Sequence, residues 1–199
     1  MKPGLVIGNG ESRKLLNLNR SIDNYTSYGC NAIIRDIKVD YLVCVDRRMV
    51  KESLTSPNCP NQIHTRQDWK RYFTGDVVAV VPDLPYEGNN RWDDPFHWGS
   101  GPYALLLAAS HSHQNISMIG FDLYSETKHV NNVYKDTPNY NPKQHRAIDP
   151  SYWIKQVAKV FECFPNTQFK VYNKKDWSMP ISWKLDNVKF EDQEKFNSG

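Results

Sequence analysis

Apolar residues in this chain come in short, nearly unbroken runs separated by Gly, Pro, Asn and Asp. Leu5-Val6-Ile7 leads into Gly8-Asn9-Gly10, and residues 28–34 form a second run. Tyr41-Leu42-Val43-Cys44-Val45 ends in Asp46, and residues 77–81 end in Pro82-Asp83. Ile116-Ser117-Met118-Ile119 ends in Gly120-Phe121-Asp122, and Phe169-Lys170-Val171-Tyr172 is the last clear run. Runs of this length bounded by turn formers predict strands. Their continuity, in place of alternation, predicts burial on both faces, as in a parallel sheet covered by helices.

Two longer patterns predict helices. Residues 102–112 read P-Y-A-L-L-L-A-A-S-H-S, apolar enough to require burial all round. From Pro150 to about Phe164, the residues Tyr152, Trp153, Val157, Val160, Phe161 and Phe164 fall on roughly one face. Pro102 and Pro150 sit where a first helical turn accepts proline. Shorter helices are expected near residues 12–16, 48–53 and 65–73. Strands alternating with helices predict an α/β, Rossmann-like, doubly wound domain, with a mostly parallel sheet and helices on both faces. At 199 residues the chain suits one core. We assign residues 1–183 to that single domain and residues 184–199 to a charged C-terminal tail.

Composition changes this picture in three places. Twelve prolines and ten glycines point to many loops, and two segments, residues 86–99 and 124–148, are long, aromatic and polar. Loops of that length in a compact domain are usually functional. The net charge of +3 is scattered, so nucleic acid is not indicated as a partner. The four cysteines form no C-x-x-C pair, and Cys30 and Cys44 lie inside apolar runs. Free thiols and a reducing, cytoplasmic compartment are therefore expected. No apolar run approaches the ~20 residues of a membrane span, and the N-terminus enters a strand at once, with no leader pattern.

Ligands of doubly wound sheets bind outside the carboxyl ends of the strands. Those ends carry Gly8-Asn9-Gly10-Glu11-Ser12, Asn31, Asp46 and Gly120-Phe121-Asp122. Gly8 and Gly10 allow a tight turn and close ligand approach, and backbone N–H groups with Ser12 are suited to phosphate. His97-Trp98-Gly99-Ser100-Gly101-Pro102 feeds the buried helix, whose N-terminus favours an anion. His145, ahead of the helix starting near Asp149, is a candidate general base at neutral pH. His129 shares that ambiguity, and His111 and His113 read better as helix-end residues. Asn131-Asn132-Val133-Tyr134 and Asn139-Tyr140-Asn141 supply neutral donors, acceptors and stacking faces suited to sugars and nucleobases. G-x-S-x-G, H-E-x-x-H and D-x-D are all missing, and Asp93-Asp94 is a poor substitute for the last.

The order of these motifs resembles the bacterial sialyltransferases of glycosyltransferase family 42, and more distantly the animal sialyltransferases. The elements that carry the likeness are a strand ending in Gly8-Asn9-Gly10, Cys30-Asn31 after the next strand, and Ser100-Gly101 opening an apolar helix. Ile119-Gly120-Phe121-Asp122-Leu123-Tyr124, an aromatic loop and a histidine before the last long helix complete it. The likeness spans roughly residues 4–173 and extends to uncharacterised proteins of marine bacteriophages. It implies a nucleotide-sugar co-substrate, CMP-sialic acid above all, used without metal or further cofactor, and a glycan or other hydroxyl acceptor. By that analogy Asn9, Gly10 and Asn31 contact phosphate and ribose, and Ser100 and Gly101 hold the cytidine or phosphate side. Tyr124 and Tyr134 assist departure of CMP, and His145 takes the acceptor proton. Glu11 stands where the family has proline, and His97 lies near where it has arginine.

Two other readings stay open. Residues 40–46 with residues 119–122 also resemble flagellin-glycosylation accessory and pterin pyrophosphokinase-like proteins, in which Asp46 and Asp122 would hold magnesium. A non-catalytic nucleotide- or glycan-binding module on the same fold is the third. A homo-oligomer is compatible with any of them, and a membrane with none.

Overall fold

Val6 packs into one hydrophobic core, whereas Leu5 and Ile7 pack into another. Alternation of side chains along a strand produces this split, and both cores exist because helices cover both faces of the sheet. The computed structural model describes residues 1–86, 98–125 and 127–198. Its strands are β1 (Gly4–Ile7), β2 (Thr26–Cys30), β3 (Tyr41–Val43), β4 (Gln62–Thr65), β5 (Val78–Val80), β6 (Asn115–Ile119), β7 (Gln168–Asn173) and β8 (Val188–Asp192). They form one sheet in the order β5-β4-β3-β2-β1-β6-β7-β8. Every neighbouring pair is parallel. This is the doubly wound α/β architecture, and its order reverses between β1 and β6, where such sheets open a crevice.

The helices are α1 (Leu18–Ser21), α2 (Arg47–Leu54), α3 (Gln67–Lys70), α4 (Ser100–Ser110), α5 (Ser151–Cys163) and α6 (Gln193–Ser198). Helices α4 and α5 cover one face with Leu105, Leu106, Val157, Val160 and Phe161. The other face carries α2, a 3-10 helix over Asn31–Arg35, and Phe196 from α6. Asp46 caps α2 by accepting from the Arg48 amide at 2.8 Å.

Three expectations need correction. The run at residues 28–34 is a strand only to Cys30, because Asn31 adopts φ 51 and turns the chain into the 3-10 helix. A strand at Gln62–Thr65 went unforeseen, since its apolar content is one isoleucine. Residues 184–199 are no loose tail over their described part. β8 pairs with β7 along five registered positions, and Phe196 is buried against Tyr25 and Tyr172. The charges that suggest a tail belong to an edge strand with one solvated face.

The long segment at residues 124–148 is described except for residue 126, and it is pinned over the β1–β2 side of the sheet. Val133 donates its amide to the Asn9 carbonyl at 2.9 Å, and the Glu11 amide donates to Asn131 Oδ1 at 2.8 Å. Arg35 reaches Thr137 and the Pro138 carbonyl at 2.6 and 2.9 Å. Of the other long segment, residues 87–97 lie outside the described residues, and with them Asp93, Asp94 and His97. No described helix is long and apolar enough to cross a membrane.

Candidate functional site

The site begins with two glycines in contact. A Cβ on Gly8 would lie 2.4 Å from the Gly120 carbonyl oxygen, and one on Gly120 would lie 2.7 Å from that of Gly8. The turns leaving β1 and β6 therefore touch backbone to backbone, tied by Gly8 N–H to Ile119 and Gly10 N–H to Gly120 at 2.8 and 2.9 Å. Gly120 also takes φ 69, a region that glycine enters without steric cost. Gly10 in turn lies against the Asp122 carboxylate, whose oxygens would be 2.5 and 2.7 Å from any Cβ there.

Beyond these turns lies a cavity of about 330 Å³. Its wall includes Gly8, Asn9 and Gly10 from β1, Asn31 after β2, Val45 after β3, Ser100 and Gly101 from α4, and Asp122 after β6. Phe121, Trp153 and Val157 supply apolar surface, and Asn131 and Asn132 come in from the long loop. Five strand or helix ends thus meet at the switch point of the sheet, the expected position for a ligand in this architecture.

The polar groups in the wall are oriented by one another. Asn9 Nδ2 donates to the Cys30 carbonyl at 3.3 Å, which leaves Asn9 Oδ1 buried with no hydrogen-bond partner. Ser100 Oγ donates to Asn31 Oδ1 at 2.9 Å and accepts from the Val45 amide at 3.1 Å. α4 directs its N-terminal amides and the positive end of its dipole toward this wall. Its first-turn Pro102 has no N–H to satisfy. Backbone strain collects here too: Asn31 at φ 51 and Leu123 at φ 63 both line the cavity, and around Leu123 the Tyr124 amide closes a tight turn onto the Asp122 carbonyl at 2.6 Å. Cys30 lines the cavity, but burial pushes its thiol up to about 12, so it stays protonated and is no nucleophile.

The structure brings together Gly8, Asn9, Gly10, Asn31, Ser100, Gly101 and Asp122. It does not bring the remaining candidates with them. Ser12 is buried, and both its amide and its hydroxyl donate to Asp122, so the hydroxyl is already engaged. Tyr134 is buried behind the wall. Its hydroxyl donates to Asp36 at 2.6 Å and accepts from Arg13 at 2.5 Å, and burial raises its pKa well above the ordinary phenol value. Tyr124 is half exposed and faces a neighbouring cavity. His145 is exposed and lines neither cavity; its carbonyl accepts from the Val130 amide at 3.0 Å, beside the bridge joining His129 to Arg146.

Two charges near the site are neutralised. Glu11 pairs with Lys14 and Lys135 at 2.6 and 3.0 Å, and although burial opposes it, these lysines hold the carboxylate below its ordinary range. Asp46 is held below its ordinary range by the Arg48 side chain and lines neither cavity. Among the described residues, no three His, Cys, Asp or Glu side chains gather in a metal-binding group. Sequence reasoning missed Trp153 and Val157 as wall residues. Trp153 and Val157 were assigned to a core-facing helix stripe, and nothing in that pattern marks where the stripe leaves the core for the cavity.

No protein-family model matches the chain, and no curated protein or solved structure is significantly similar to it.

Proposed function

We propose that this protein binds a nucleotide sugar in the cavity between β1 and β6 and transfers its sugar to a hydroxyl acceptor, with a CMP-sugar as the first donor to test. The observation that carries the reading is the wall itself. An unpartnered Asn9 acceptor, an Asn31 amide fixed by Ser100, and the α4 N-terminus converge on one cavity with an apolar aromatic side. Amide groups suit ribose and base, amides at a helix start suit phosphate, and Trp153 and Phe121 suit a planar ring. The motif order described above supports a donor of the CMP type. A nucleotide leaving group needs little beyond orientation and charge stabilisation at its phosphate.

A second reading has its own support. His145 lies outside the cavity wall, and among the described residues no histidine lines the site. That favours a nucleotide-binding module without transfer.

The test is thermal stabilisation by CMP, CDP, UDP, GDP, ATP and CMP-sialic acid, with and without magnesium. A ligand at a hundredfold its Kd should add roughly 2.7 kcal/mol. Gly10→Ala should abolish the effect, because the new methyl group would lie 2.4 Å from the Asp122 carboxyl carbon. Stabilisation by CMP species, followed by release of CMP in the presence of an acceptor, supports transfer. Stabilisation without release supports the binding module. Stabilisation by ATP alone and only with magnesium would refute the transfer reading.

A further inference from the structure

Asp122 and Asn131 line a second cavity as well as the first, so the two share a partition. The second holds about 260 Å³ and opens at the carboxyl ends of β6 and β7. Its other wall residues include Tyr124, Asn173, Lys174, Asp176, Trp177 and Ser178. Asn173 ends β7 and is 2% exposed. Its orientation is set because Oδ1 accepts the Lys174 amide at 2.8 Å. Its Nδ2 is consequently a buried donor with no partner. A buried amide N–H left without an acceptor costs about 1–3 kcal/mol, which a ligand oxygen would recover. Trp177 is held in place by donating its indole N–H to the Asp122 carbonyl at 2.7 Å, and it lines the same cavity as Tyr124.

We infer that this second cavity is a binding site for a neutral, polyhydroxylated ligand, a pyranoside unit; as the acceptor site of the reaction it rests on the transfer reading above, but as a binding site it does not. The charge balance argues for neutrality. Among the described wall residues Asp122 and Asp176 stand against Lys174 alone, so an anionic ligand meets net repulsion. The polar groups argue for hydroxyls, which both donate and accept. They satisfy Asn173 Nδ2 on one side and the carboxylates of Asp122 and Asp176 on the other. The aromatic rings of Tyr124 and Trp177 match the C–H faces of a sugar ring. The shared partition places a hydroxyl of this ligand beside the contents of the first cavity.

The two cavities carry separate reporters, since Trp153 lines only the first and Trp177 only the second. We would record indole N–H resonances of the full chain, assigned with Trp153→Phe and Trp177→Phe. CMP and methyl α-glucopyranoside, methyl β-galactopyranoside and methyl α-mannopyranoside would be titrated singly and together, to roughly fifty times a millimolar Kd. The expected result is a shift of Trp177 on adding at least one glycoside. Asn173→Asp, which keeps the acceptor for Lys174 and removes the donor, should weaken that binding about tenfold and leave the CMP response of Trp153 unchanged. An unmoved Trp177 with every glycoside, with and without CMP, overturns the inference. So does equal glycoside affinity in a folded Asn173→Asp protein. A glycoside response without any CMP response keeps this site and removes the nucleotide reading; the reverse removes this site alone.

Discussion

Single side chains behind the wall determine whether the site keeps its shape. Tyr134 joins Arg13, which is buried, to the partly exposed Asp36, and the Arg13 and Arg35 guanidiniums lie 5.3 and 5.6 Å from its ring centre. Tyr134→Phe removes the hydroxyl and leaves Arg13, 5% exposed, with one partner fewer. The expected cost is about 1–3 kcal/mol of stability, read from urea unfolding. Nucleotide affinity in the surviving fold should change less than twofold, whereas a residue contacting phosphate would lose far more. CMP release by His145→Ala tests the role of that histidine in transfer: an unaltered rate would mean that His145 is not the base, in keeping with its position outside the wall. At this scale the sequence was informative for glycines and poor for tyrosines and histidines. Gly8, Gly10 and Gly120 mark where backbones must touch, a requirement local to the turn. Which way Tyr134 or His145 faces depends on how a long loop lies over the sheet, and no local pattern encodes that.

Elements were readable in proportion to their burial. β1, β3 and β6 are buried on both faces and read as unbroken apolar runs. So does α4, whose residues Pro102 to Ala109 are all buried. β4 and β8 were not, because each satisfies its burial differently. In β4, His64 is buried by bonding the Val80 carbonyl and Gln62, both at 3.1 Å. In β8, Val188 is buried while Lys189 faces solvent, the pattern of an edge. β8 and α6 close the sheet beside the second cavity, so their removal should be felt there. Phe196→Ala should cost about 3 kcal/mol, the low end for a buried phenylalanine, because a terminal helix can settle into the gap. Calorimetry would measure it, and a change below about 1 kcal/mol would mean that α6 contributes little to the fold.

For the whole molecule, pH tests how the sheet is sealed at its other margins. Burial lowers the pKa of both His64 and His111 from 6.5, assisted in His64 by His111 and in His111 by His113. The folded state therefore favours their neutral forms. Their contribution is complete above pH 6.5 and declines as the pH falls below it toward the folded values. Urea midpoints should drop between about pH 7.5 and 5, and His64→Gln should flatten that slope. The carboxylates of Glu11 and Glu52, both held below 4.5 by their basic partners, lose their contribution only at lower pH. A midpoint constant over the upper range would show that the histidines are hydrated in solution.

The contact between Gly8 and Gly120 also bears on synthesis. β1 pairs in register with β6, Gly4 beside Ile116. Ribosomes extend chains at roughly 5–20 residues per second, so β1 waits on the order of ten seconds for that neighbour to be made. During the wait the nascent chain holds β1 to β5 with one long flank of β1 unpaired, and the cavity has only half its wall. Ligand can seat only after β6 has emerged and docked. A stalled chain ending before β6 should therefore seek chaperones, and supplying nucleotide to a translation extract should protect only chains that extend past it.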